Sequence, residues 1–142
     1  MRRIAWALLA ALLFFQGCAV SQNTSRTDEP CETKLYQTTW QLTTIDNDPV
    51  RLKFPVTLKI GPDGRIGGYG GCNSYFGKVE ITDNSMTFGP IGSTRKFCMG
   101  EPGRVERALF SMLRGTKWWQ LDSGELVIFD DEHRLIFTPE RP

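Results

Sequence analysis

The sequence predicts a mainly β fold of the α+β kind: a small, strongly curved antiparallel sheet or barrel covered by one α-helix. Three observations carry this expectation. Short segments of alternating apolar and polar residues recur at roughly 8–12-residue spacing with turn residues between them, the pattern of a barrel or tightly coiled sheet. One stretch, "GGYGG" (Gly67 to Gly71), is nearly stripped of side chains, as a sheet requires where it bends sharply. A single segment, Glu101 to Gly115, switches to a helical period.

Each element follows from local chemistry. Tyr36, Thr38, Trp40 and Leu42 occupy alternate positions and predict a half-buried first strand. Val56, Leu58 and Ile60 alternate with Thr57 and Lys59; "GPDG" (Gly61 to Gly64) then turns the chain, and Arg65 to Tyr69 returns. Glycines 67, 68, 70 and 71 let this part of the sheet coil. Val79 and Ile81 mark a further strand, "TDNS" (Thr82 to Ser85) a turn, and Met86 to Phe88 its return. "KWWQL", "ELVIF" and "RLIFT", separated by "DSG" and "DDEH", predict an antiparallel meander. In the helical segment, Val105, Ala108, Leu109, Met112 and Leu113 share one stripe, with Pro102 in the first turn and Gly115 at the C-terminal cap. Its Arg104, Arg107 and Arg114 read as a solvated face, or else as a basic strip.

The N-terminus carries an address. Arg2 and Arg3 precede an uncharged apolar run, Ile4 to Phe15, far short of the ~20 residues a spanning helix needs. Residues 1–17 therefore read as a secretory signal peptide. "FQGC" (Phe15 to Cys18) resembles a bacterial lipobox, which makes Cys18 the lipid attachment site; "GCA" (Gly17 to Ala19) alternatively fits ordinary signal cleavage and release to the periplasm. Ala19, by resemblance to bacterial sorting rules, favours the outer membrane. Polar "SQNTSRTDEP" belongs to a tether over residues 18–34, with the folded domain at 35–140.

At 142 residues the chain accommodates one domain, and a formal charge of +1 gives no electrostatic case for nucleic acid. "GGYGGCNSYFG" lacks the G-x-G-x-x-G register and precedes a strand rather than a helix; no Gly-Lys-Ser/Thr follows. It reads as architecture, with Asn73 tolerating unusual backbone and satisfying nearby peptide groups. No C-x-x-C occurs and His133 is the sole histidine, so neither zinc nor another cofactor is expected. Cys31, Cys72 and Cys98 remain to the exported domain, and spacing alone does not choose among their three pairings.

"GGYGGCNSYFGKVEI", "MTFGPIGSTRKFC", the Glu/Arg helix and the aliphatic C-terminal strands resemble the META domain, also called HslJ-like. The resemblance rests on Gly71, Cys72, Asn73 and Gly77, then Thr94, Arg95 and Cys98, with Trp40 matching an early strand tryptophan; Lys96-Phe97 departs from the common Met-Ala. It implies a small β-rich domain with a helix, found in secreted proteins and lipoproteins and associated with stress response and the bacterial envelope. It brings no established catalytic residues. It also implies a Cys72–Cys98 disulfide, with Cys31 left over.

The expected function is that of a monomeric, non-enzymatic envelope lipoprotein that binds a partner or protects against stress. An alternative is a periplasmic inhibitor or adaptor docking through tryptophan: Trp118 and Trp119 are adjacent on a strand, so one faces the core and the other can meet a partner. A third is a hydrolase using Asp130, Asp131 and Glu132, which would require carboxyls titrating above their ordinary values.

Overall fold

A computed structural model describes residues 31–141. The expected signal peptide and Cys18 lie outside the described residues. The chain forms α1 (Cys31–Gln37), β1 (Thr39–Ile45), β2 (Asp48–Pro49), β3 (Thr57–Ile60), β4 (Arg65–Tyr69), β5 (Ser74–Ile81), β6 (Ser85–Phe88), β7 (Gly92–Ser93), α2 (Glu101–Met112), β8 (Gly115–Asp122), β9 (Glu125–Phe129) and β10 (Arg134–Pro139).

Eight of these strands close into an antiparallel barrel in the order β1-β3-β4-β5-β6-β8-β9-β10. Closure comes from β10 against β1, with Leu42 opposite Phe137 and a register shift between Leu42 and Thr44. Spatial order follows chain order, so each connection is local and no hydrogen-bonding edge is left among the barrel strands. β2 pairs only with β1 and β7 only with β5, as short flaps at the rim.

Alternating strand direction sorts the connections to two ends. One end carries α1 and the β3–β4, β5–β6 and β8–β9 turns. The other carries the β1–β3 loop, the β4–β5 turn, α2 and the β9–β10 turn. The period-2 pattern decides what lies between. Trp40, Leu42, Leu58, Ile60, Met86, Leu126, Ile128, Leu135 and Phe137 point inward and are buried. Each contributes about 1.5–3 kcal/mol relative to exposure. α2 adds Val105, Leu109 and Met112 to this core.

Two local expectations change. The first strand begins at Thr39, and Tyr36 lies in α1. α1 also crosses the expected tether–domain boundary at residue 35. Leu35 is fully buried, and the Trp40 Nε1–H donates to its carbonyl at 3.1 Å. Burial of Leu35 at the barrel end outweighs the alternation that extended the strand upstream. Gly70 and Gly71 lie in the β4–β5 turn rather than in a coiling strand: the Gly70 N–H donates to the Asn73 carbonyl at 2.8 Å and closes a hairpin. Gly67 and Gly68 are in β4, as expected.

Candidate functional site

The β4–β5 turn has too little side chain to satisfy its own backbone, and α2 supplies the acceptor. Glu106 Oε2 accepts the N–H groups of Cys72 at 3.2 Å and Asn73 at 2.6 Å. Its Oε1 accepts the Asn73 side-chain amide at 2.7 Å. Gly71 adopts φ +108, which lets two successive N–H groups converge on one carboxylate. A charged acceptor makes these bonds stronger than neutral ones.

Asn73 extends the lattice to the loop before α2. It is 4 % exposed. Its Oδ1 accepts from Thr94 Oγ1 at 2.9 Å and the Lys96 N–H at 2.7 Å, while Nδ2 donates to the Lys96 carbonyl at 3.1 Å. The amide therefore holds Lys96 as a neighbouring strand would. Cys72 and Cys98 form a disulfide with Cα atoms 5.9 Å apart, pinning the far end of the same loop. Gly77 is small because Ile91 Cδ1 lies 2.7 Å, and the Pro90 carbonyl 3.2 Å, from where its side chain would begin. The structure thus joins Gly71, Cys72, Asn73, Thr94 and Cys98 in one assembly, whereas Gly77 lies apart in β5 against Ile91 and Pro90. Arg95 is not part of the assembly: Thr94 Oγ1 reaches Asn73, whereas the Arg95 side chain faces solvent. Glu106 went unnoticed in the sequence because nothing in an amphipathic helix marks one glutamate as the partner of a turn 33 residues away. The available signal was the turn itself, whose bare N–H groups need an acceptor.

At the same barrel end, the β9–β10 turn meets the β1–β2 turn. His133 Nδ1 lies 2.8 Å from Asp46 Oδ2, and the Arg134 N–H donates to Asp46 Oδ1 at 2.7 Å. Lys117, on the inward face of β8, pairs with Asp130 at 3.2 Å. An open hollow of about 250 Å³ lies here, lined among others by Asp46, Asn47, Phe129, Asp130 and His133. The hydrogen bond that His133 donates to Asp46, and the charge of that carboxylate, raise the imidazole above its ordinary value. The Arg134 N–H, and then His133, hold Asp46 below the carboxylate norm despite some desolvation. Burial raises the Asp130 carboxyl, but the N–H groups of Glu132 and His133 and the Lys117 ammonium outweigh it and hold it low. A carboxyl held low, as Asp130 is, is a poor proton donor at neutral pH.

The tryptophans divide as adjacent strand positions must. Trp119 is half-buried against the core and donates from Nε1 to the Thr82 carbonyl at 3.0 Å. Trp118 faces outward, 48 % exposed, opposite Phe129 of β9.

Comparison with known proteins agrees with this geometry. A family model described as META domain matches residues 33–142. No curated protein matches the chain. A protein structure solved by NMR superposes with a TM-score of 0.65 at 19% identity, covering 75% of this chain and 92% of that one. An NMR structure of a protein from Burkholderia xenovorans superposes with a TM-score of 0.61 at 25% identity, covering 80% and 90%.

Proposed function

The chain belongs to the META domain family, and on that premise we propose that it is a non-enzymatic binding domain of the bacterial envelope, exported by residues 1–17 and lipid-anchored at Cys18, with a protective role under stress. The observation that carries this reading is the assembly around Asn73. Its polar groups are spent on one another and on backbone, and a disulfide locks it. Such a bond persists in oxidising compartments and is rare in the cytosol. What the assembly fixes is the shape of a surface loop, which serves recognition rather than bond-making. The alternative of an adaptor docking through Trp118 is favoured by that residue's outward position beside Phe129.

The test is metabolic labelling with a clickable fatty acid, followed by fractionation and non-reducing peptide mass spectrometry. Expected are a label lost in Cys18→Ala, recovery with the outer membrane, and a Cys72–Cys98 peptide. An unlabelled chain in the cytosol with free thiols at both positions would overturn the reading. A soluble periplasmic chain with the bridge intact would overturn the anchor alone.

A further inference from the structure

Two loops of like chemistry stand at the barrel end that carries α2, and we propose that this end docks on an anionic lipid bilayer. The first loop contains Arg51-Leu52-Lys53-Phe54 and the second runs from Arg95 to Met99. In each, an aromatic side chain stands in solvent beside basic neighbours, Phe54 58% exposed and Phe97 89%, and the second loop adds Met99 at 81%. Both loops are fastened at inner residues to the same place. Leu52 Cδ1 and the Pro102 carbonyl lie 3.1 and 3.2 Å from where a side chain on Gly71 would begin, and Gly103 abuts the Cys98 carbonyl. The two tips therefore flank the first turn of α2.

The second loop is built to display its outer residues. Thr94 and Cys98 are held through their side chains and Lys96 through its backbone, by Asn73 and Cys72. Arg95 and Phe97, between the fastened positions, face solvent, as does Met99 just beyond them. The lattice thus keeps two large apolar side chains in water, where collapse onto the surface would otherwise be favoured.

Charge identifies the partner. Among the described residues, Arg51, Lys53, Arg95, Lys96 and Arg107 are exposed and make none of the ion pairs. Of the carboxylates on α2, Glu101 pairs with Arg104 and Glu106 turns onto the β4–β5 turn. The rim made by these two loops and the first turn of α2 carries a cationic excess although the whole chain carries only +1; the exposed carboxylates of this end, Asp48, Asp131 and Glu132, stand apart on β2 and the β9–β10 turn. Protruding tips suit a deformable partner: a bilayer takes isolated apolar side chains at headgroup depth while anionic headgroups meet the cations. A protein would have to offer each tip a pocket. An anchor at Cys18 is not required; it would set where the chain is tethered, and these loops set which end faces the lipid.

The test places a photocrosslinker in the full chain as Phe54→p-benzoylphenylalanine, Phe97→p-benzoylphenylalanine or, at the opposite barrel end, Asp83→p-benzoylphenylalanine. Each chain is irradiated with vesicles of phosphatidylethanolamine containing phosphatidylglycerol, and lipid adducts are measured by mass spectrometry. Any membrane affinity of the N-terminus is common to all three, so the comparison reads orientation. Adducts are expected at 54 and 97 well above 83. Arg95→Glu with Lys96→Glu should lower the yield at 97 by roughly tenfold or more. As a control for any change of loop shape in that double variant, the same probe without it is titrated with salt, and the yield should fall as screening rises. Equal adducts at 83 and 97, no adduct at 97, or indifference to both charge reversal and salt would overturn the proposal. Crosslinking of position 97 to a protein in place of lipid in intact cells would overturn it in favour of an acidic protein partner.

Discussion

Asn73 is the residue on which the loop geometry turns. Truncation to alanine removes the acceptor for Thr94 and Lys96 and the donor to Glu106 and the Lys96 carbonyl, leaving part-buried polar groups without these partners. Unsatisfied groups cost more than the bonds they lose, so Asn73→Ala should destabilise the fold by about 2–4 kcal/mol in urea unfolding. A loss below about 1 kcal/mol would mean that water takes over the lattice. His133 gives a pH prediction. Its folded value is raised by Asp46, so its contribution is complete below the ordinary value of 6.5 and lost as pH rises through the folded value. Asp46 is held low, so its contribution is present above 3.8 and lost as pH falls through its folded value. The Tm should therefore decline gently from mildly acidic to mildly alkaline pH, and His133→Gln should remove that slope. An unchanged slope in the variant would assign it to another group. Tyr75 also contributes at this scale: burial raises its phenol, which donates to the Thr57 carbonyl at 2.8 Å.

Between elements, the sharpest constraint is the approach of β3 to β4. A side chain on Gly68 would run into the Thr57 carbonyl, which is backbone and cannot step aside. Gly68→Ala should cost about 1–3 kcal/mol by forcing the strands apart. At Gly89 the nearest atom to an added side chain is 3.7 Å away, so Gly89→Ala should be near neutral. Urea midpoints of the two variants check this, and equal losses would show that strand spacing is not limiting. The same logic holds where α2 meets the loop: Gly103 abuts the Cys98 carbonyl, so the helix and the disulfide share one contact.

For the whole molecule, the disulfide closes a segment with a sequence separation of 26. The chain-entropy model assigns such a closure about 3.5 kcal/mol. The barrel closes without it through β1 and β10, and its core lies inside the closed sheet. Cys72→Ser with Cys98→Ser should therefore leave a folded barrel, less stable by about that amount, with faster amide exchange confined to residues 94–99. Global loss of protection would show that the bridge holds the barrel and not only its loop.

Local chemistry was enough to determine the succession of the eight barrel strands, the single long helix and the turns at GPDG, TDNS, DSG and DDEH, because alternation, helical period and glycine or proline punctuation act within a few residues. It also made the GGYGG stretch architectural, since neither phosphate-binding register is present. The start of β1 and the role of Gly70 and Gly71 needed tertiary structure. Leu35 is helical because the barrel end buries it, and the bare turn exists because Glu106 approaches it from α2. The outward display of Phe97 and Met99 was equally illegible: apolar letters in a sequence read as core, and only the clamps at Thr94, Lys96 and Cys98 keep these two in solvent. Propensity is local, whereas burial and hydrogen-bond partnership are decided by which distant segments the closed barrel brings together.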